Sequence, residues 1–474
     1  MAMFKPVERV VIGSAMLGVG KGLRTAVATR YGISRTYAYT LMHKVEDVLG
    51  AFPEESFDKL IPVTDITIDR AILSLAMDCH ASLEGIRDAL LHQYNYSLDV
   101  STISRKLNYY GQLARKFLET VDYSSVVTCA YDEVFQCGDR PILGVIDLDT
   151  DYIAELICTP DRTAETWAIV MMLLRDNQGL NFKYGISDFG NGLLAGVPMV
   201  FPNVRLQGDS FHSLMLVGEE IVKIENFALK RLSVVADLQL SVSGGKAHKK
   251  TKEKLEKELQ YLDSHLMRAD RATTLMQWLR ELLAFPGYYR HEIKALILWV
   301  LDEMDKIDGY VYKLQTRTAF FRKELDSILE FHTQLVDNMF ELSAKENIPV
   351  EVTSLLFRQS AEIASSRVYR LISRRLSSFD KATIEKGRTL VDTVIAMTHR
   401  ASSMIECTNS RLRRYENSKH YLSNNFLALM RLYFNTKKIR RGEDIKKESS
   451  PLERLTGDSR GFFEILGLGV RTAA

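Results

Sequence analysis

Over the first 120 residues apolar positions recur at helical spacing, interrupted by glycine and by capping side chains. In LRTAVATRYGISRTYAYTLMHKVEDVL a helix carrying Ala26 and Val27 is closed by Gly32, and Ser34 stands ready to cap a second helix running through Tyr39 to Val48. In SLEGIRDALLHQYNYSLDVSTISRKLNYYG one helix begins at Ser82 and another at Val100 or Ser101. Both segments read as helix-turn-helix candidates, and as plain helical hairpins otherwise. From about Val126 the period changes from helical to extended. Residues 126–131, 142–146 and 152–157 are short β-rich runs separated by QCGDRP and DLDTD, which predicts an antiparallel meander. A helix over 164–175, a fourth strand ending near Ser187, a short helix around 193–197 and a fifth strand at 204–207 complete a β-β-β-α-β-α-β series. Beyond Phe211 the strands stop. Residues 214–400 are dominated by helical periodicity, clearest at Leu255, Leu259, Leu262 and Leu266, whose spacing places them on one face. Further helices are expected at 274–283, 291–305, 319–342 and 384–399, and SGGKAHKKTKEK (243–254) reads as a basic, mobile loop.

Composition narrows the class. A chain of 474 residues suggests about three domains, and 46% apolar with 26% charged residues describes a globular protein. The sequence has neither the roughly 20 uninterrupted apolar residues of a membrane span nor a basic-then-apolar leader, so a cytoplasmic protein is expected, associated with the nucleoid when bound to DNA. The five cysteines include no C-x-x-C, which argues against a disulfide framework or a zinc knuckle. A net charge of +2 does not announce a nucleic-acid binder, but the cations are clustered. Arg411, Arg413, Arg414, Lys419 and His420 form the densest group, followed by Lys437, Lys438, Arg440 and Arg441.

Three carboxylates carry the candidate chemistry: Asp132 in VVTCAYDEVF, Asp188 in FKYGISDFGNG and Glu406 in SSMIECTNSRLRRY. The strand order places Asp132 at the end of the first strand and Asp188 at the end of the fourth, which is the ribonuclease-H arrangement. Hard carboxylate oxygens suit magnesium, and two such ions side by side serve phosphodiester chemistry. Asp132 is preferred over its neighbour Glu133 because the apolar strand delivers it to the strand end. Glu406 has a competing reading as the glutamate of a Ser403-x-x-Glu406 capping box. Asp209 and His212 read as a structural hydrogen-bonded pair, since two residues are too few for a structural zinc site. Trp278 and Trp299 sit on apolar helical faces and read as core.

At these residues the chain resembles a DDE transposase of the bacterial insertion-sequence kind. SDFGNGLLAGVPMVFPNVRLQGDSFHSL resembles the segment of the second acid, followed by Asp209 and His212. IECTNSRLRRYENSKHYLSNNFLALMRLYFNTKKIRRG resembles the segment of the catalytic Glu, and SSPLERLTG the usual closing motif. The resemblance covers most of 126–213 and 396–457. It implies an α+β multidomain protein: a helical DNA-binding region (1–120), a ribonuclease-H-like mixed sheet (121–213), an all-α insertion (214–395) and a completing segment (396–474) with the catalytic Glu. It further implies a mobile-element enzyme for DNA recombination that cleaves and joins DNA strands with two Mg²⁺, replaceable by Mn²⁺, held by Asp132, Asp188 and Glu406. The expected partner is double-stranded DNA, bound by a homodimer or higher assembly through Arg35, Arg105, Lys106, Arg411, Arg413, Arg414 and Lys419. A non-catalytic DNA-binding protein on the same scaffold and a ribonuclease-H-like nuclease or resolvase are the alternatives.

Overall fold

A computed structural model describes residues 4–20, 22–49, 64–135, 140–244, 249–284, 289–307, 313–418, 422–438 and 448–469. Backbone contacts divide the chain into two compact units, Met1–Asp69 and Arg70–Ala474. The first unit contains α1 (Pro6–Leu17), α2 (Arg24–Arg30) and α3 (Arg35–Leu49). Met16, Ala28, Ala38 and Met42 form their common core. Gly32 takes φ +61° in the turn between α2 and α3, a conformation that side chains with a Cβ resist. Ser34 accepts a 3.2 Å bond from the Tyr37 N–H and so caps α3.

The division falls within α4 (Asp65–Met77), which is followed by α5 (Leu83–Tyr94) and α6 (Val100–Leu118). One mixed sheet comes next: β1 (Thr128–Phe135), β2 (Pro141–Asp147), β3 (Ile153–Cys158), then α7 (Ala164–Gln178), β4 (Tyr184–Ser187), α8 (Asn191–Val200) and β5 (Arg205–Gly208). The spatial order is β3-β2-β1-β4-β5. β1, β2 and β3 are antiparallel, whereas β1, β4 and β5 are parallel. Every residue of β2 is buried, as expected of a strand covered on both faces.

A helical block leaves the sheet at its β5 edge: α9 (Ser210–Ser243), α10 (Lys249–Ala284), α11 (Arg290–Asp305), α12 (Leu314–Ile328), α13 (Glu330–Lys345), α14 (Val350–Ser360), α15 (Arg367–Leu376) and α16 (Lys381–Met397). It has two apolar cores, one centred on α9 to α12 and one on α13 to α16. The chain returns through α17 (Ser403–Ser418), α18 (Asn424–Thr436), α19 (Pro451–Thr456) and α20 (Phe462–Ile465). The protein is thus mostly helical with one small mixed sheet, an α+β architecture. Among the described residues no helix is long and apolar enough to cross a membrane.

Four local expectations are corrected. Residues 249–254 of the expected loop open α10, consistent with the good helix propensity of Lys and Glu, while 245–248 lie outside the described residues. The expected helix 319–342 is two helices that meet at Leu329. Leu329 takes φ −86° and ψ 8° there, away from helical values, while Ile328, Leu329 and Phe331 are all buried. Leu259 and Leu266 are 40% and 42% exposed, because α10 meets α9 along the flank carrying Leu262. Trp278 and Trp299 are exposed rather than core; their rings stack on each other at 5.7 Å and 24°.

Candidate carboxylate site

Successive strand residues point to opposite faces, and β1 uses this to separate two functions. Tyr131 lies under α7 beside Trp167, their ring centroids 6.2 Å apart. Asp132 points to the other face, where α17 packs on β1 and β2. In the parallel β1/β4 register Tyr131 sits beside Ser187, so Asp188 follows at the level of Asp132. All three candidate acids are half-buried.

Asp132 is tightly held. Its Oδ1 accepts the Glu133 N–H at 2.7 Å, and its Oδ2 accepts the Asn409 side-chain N–H at 2.6 Å. Burial pushes its pKa up to about 7, and the negative charges of Asp188 and Glu406 push in the same direction, while the two donated hydrogen bonds pull it down. Two acids distant in sequence, Asp188 and Glu406, therefore act electrostatically on Asp132. Asp188 accepts a 3.1 Å bond from the Gly190 N–H at the mouth of α8. Glu406 stands on the first turn of α17, one helical turn from Asn409.

The competing acids are occupied. Glu133 pairs with Arg162 at 2.7 Å and accepts the Trp167 indole N–H at 2.9 Å. Ser402, not Ser403, is the residue whose carbonyl opens α17, accepting the Glu406 N–H at 3.3 Å. Glu406 is therefore one residue late for the capping box. Asp209 caps α9 by accepting the Phe211 N–H at 2.7 Å and also accepts the Ser402 hydroxyl at 2.5 Å. Its partner is thus Ser402 rather than His212.

The donor chemistry of Asp132, Asp188 and Glu406 fits a hard divalent cation, since a cation would relieve the repulsion felt by Asp132. Among the described residues, however, no three His, Cys, Asp or Glu side chains form a ready-made metal-binding group.

The basic residues fall in several places. Arg35 begins α3 and lies with Arg24 over the Tyr39 ring, at 5.9 and 5.8 Å. Arg105 is exposed on α6 and bonds Thr102 at 2.9 Å, while Lys106 is half-buried. Arg411, Arg413 and Arg414 are exposed on α17; Lys419 and His420 lie outside the described residues. Sequence reasoning missed Arg431, buried in α18, which pairs with Glu155 of β3 at 2.8 Å and donates to the Tyr123 hydroxyl at 2.5 Å. Its place in an apolar helix run was the only available signal. Comparison of the chain with protein-family profiles and with curated proteins finds no match.

Proposed function

We propose that this protein is a DNA transposase of the DDE type, catalysing metal-dependent cleavage at element ends and strand transfer. The observation that carries the reading is that Asp188, after β4, and Glu406, on α17, lie near enough to Asp132 on β1 for their charges to raise its pKa. The strand order and directions support a ribonuclease-H-like reading of the sheet. The turn at Gly32 and the cap at Ser34 support a helix-turn-helix reading of α2 and α3. When bound, two Mg²⁺ ions would supply activation of the attacking oxygen and stabilisation of the leaving oxygen.

In this reading the chain's own residues position that chemistry. Asn409 orients Asp132, and the Arg162 pair keeps Glu133 from competing for the cation. Arg413 recurs one turn after Asn409 on the same flank, where its guanidinium can pair with a DNA phosphate. A non-catalytic DNA-binding protein on this scaffold is the second reading, favoured by the lack of a ready-made three-ligand group among the described residues. Cleavage of DNA carrying the ends of the gene's own element, with Mg²⁺ or Mn²⁺, separates the two. Wild type should cut, and Asp132→Asn, Asp188→Asn and Glu406→Gln should each fail while still binding DNA. Binding without cutting by the wild-type protein would favour the second reading.

A further inference from the structure

Met404, Thr408, Arg411 and Tyr415 recur at four- and three-residue spacing along one flank of α17. The acid-side residues Glu406, Asn409 and Arg413 occupy another flank. The first four line a cavity of about 440 Å³ in the second unit. Its apolar lining includes Ile146 and Ile153 from the sheet and Phe434 from α18. Its cationic lining is Arg411 and Arg414 together with Lys437 and Lys438, which lie 3.5 and 3.8 Å from Asp78 and Glu453.

The two carboxylates that also line it are already occupied. Asp151 pairs with Arg454 at 3.0 Å. Asp78 accepts the Tyr433 hydroxyl and lies 3.5 Å from Lys437. Among the described residues Arg411 and Arg414 have no ion-pair partner, and Arg411 rests over the Phe434 ring at 5.6 Å. His80 provides an independent sign of a ligand. It packs its ring on Tyr415 at 4.3 Å. Its buried Nδ1 has no hydrogen-bond partner among the described residues.

We propose that this cavity binds a nucleoside 5′-phosphate. The phosphate lies between Arg411 and Arg414, whose planar forks match its oxygens, and the base lies on the apolar lining. The volume falls within the few hundred Å³ of a small-molecule site, and a lone phosphate would leave most of it empty. The same chemistry is presented by a free nucleotide and by the 5′-phosphorylated end of a DNA strand. The inference goes beyond the carboxylate reading and does not depend on it.

Calorimetric titration of the full chain with dAMP, inorganic phosphate and deoxyadenosine tests it. dAMP should bind at least about tenfold more tightly than either fragment, and Arg411→Gln/Arg414→Gln should lose about tenfold or more. Arg411→Lys/Arg414→Lys should recover part of that loss. If the glutamine double variant melts early, Arg411→Gln and Arg414→Gln are titrated singly, with a smaller loss expected from each. Short single strands with 5′-phosphate or 5′-hydroxyl identify the source. A phosphate-dependent gain that the variants abolish assigns the site to a strand end, and binding of dAMP alone assigns it to a free nucleotide. Equal binding of dAMP and inorganic phosphate, or wild-type affinity in the variants, would overturn the proposal.

Discussion

At the scale of single residues, half-buried Asp132 and buried His332 give the protein opposing pH dependences. Asp132 has its folded pKa raised from 3.8 to about 7, so between these values the folded chain holds a proton that the unfolded chain has released. Its contribution to stability is therefore present below pH 3.8 and lost as pH rises through 7. Asp132→Asn should raise the melting temperature of the metal-free protein at pH 8 and remove any stabilisation by Mn²⁺. A variant that melts lower, or keeps the full Mn²⁺ response, would show that Asp132 is not the strained ligand. His332 behaves in the opposite sense. It is 1% exposed with neither ring nitrogen bonded among the described residues, and burial lowers its pKa from 6.5 to about 4, with Arg400 and Arg290 adding to the effect. Stability is complete above pH 6.5 and falls as pH drops towards 4, by roughly 3 kcal/mol in all. In His332→Leu the loss between pH 7 and pH 4, measured by urea unfolding, should shrink by about that amount; an unchanged acid limb would contradict this account.

At the scale of elements, packing decides what local pattern cannot. α6 lies against α18 at Gly111, where an added Cβ would come 2.2 Å from the Asn425 carbonyl oxygen. Gly111→Ala should therefore destabilise by about 1–3 kcal/mol through overpacking, despite alanine's better helix propensity. Gly218, also inside a helix, has its nearest atom at 3.5 Å, so Gly218→Ala should stabilise by up to about 1 kcal/mol in the same denaturation assay. The same contrast explains how much could be read from sequence. The five strands and α7 were legible because β-rich runs and turn residues act locally, but β1 pairs with β2 on to Phe135, so Asp132 lies within the strand and not at its end as expected. The exposed Trp278/Trp299 stack and the break at Leu329 were not, because each depends on which helix packs alongside. Glu406 could be selected by its neighbours Asn409 and Arg413, whereas the Ser402 bond to Asp209 joins residues 193 positions apart and leaves no local trace.

That bond matters at the scale of the whole second unit. The chain leaves the sheet at Asp209, runs through eight described helices and returns at Ser402, one turn before Glu406. Ser210 donates to the Arg400 carbonyl at 2.7 Å and Gln207 to the His399 carbonyl at 3.3 Å, so departure and return are tied at three adjacent points. Loop-closure cost grows only logarithmically, by about 0.6 kcal/mol for each doubling of length, so the excursion need not strain the site. Outright deletion of the block would be a poor test of its role, because α12 and α13 pack on β5 and their removal would uncover a strand edge. Cutting the tie is the better test. Asp209→Ala loses both the cap of α9 and the bond from the Ser402 hydroxyl; Ser402→Ala removes the donor and loses only that bond. A double-mutant cycle should give a coupling of roughly 1–3 kcal/mol in urea unfolding, the range for a buried bond to a charged acceptor. If the tie also fixes the first turn of α17, then on the proposed function Ser402→Ala should lower Mn²⁺-dependent strand cleavage while leaving DNA affinity unchanged, because Glu406 would be held less firmly. Additive single losses, or full cleavage by a folded Ser402→Ala protein, would mean that the helical block returns to the sheet without help from this bond and that other contacts place Glu406.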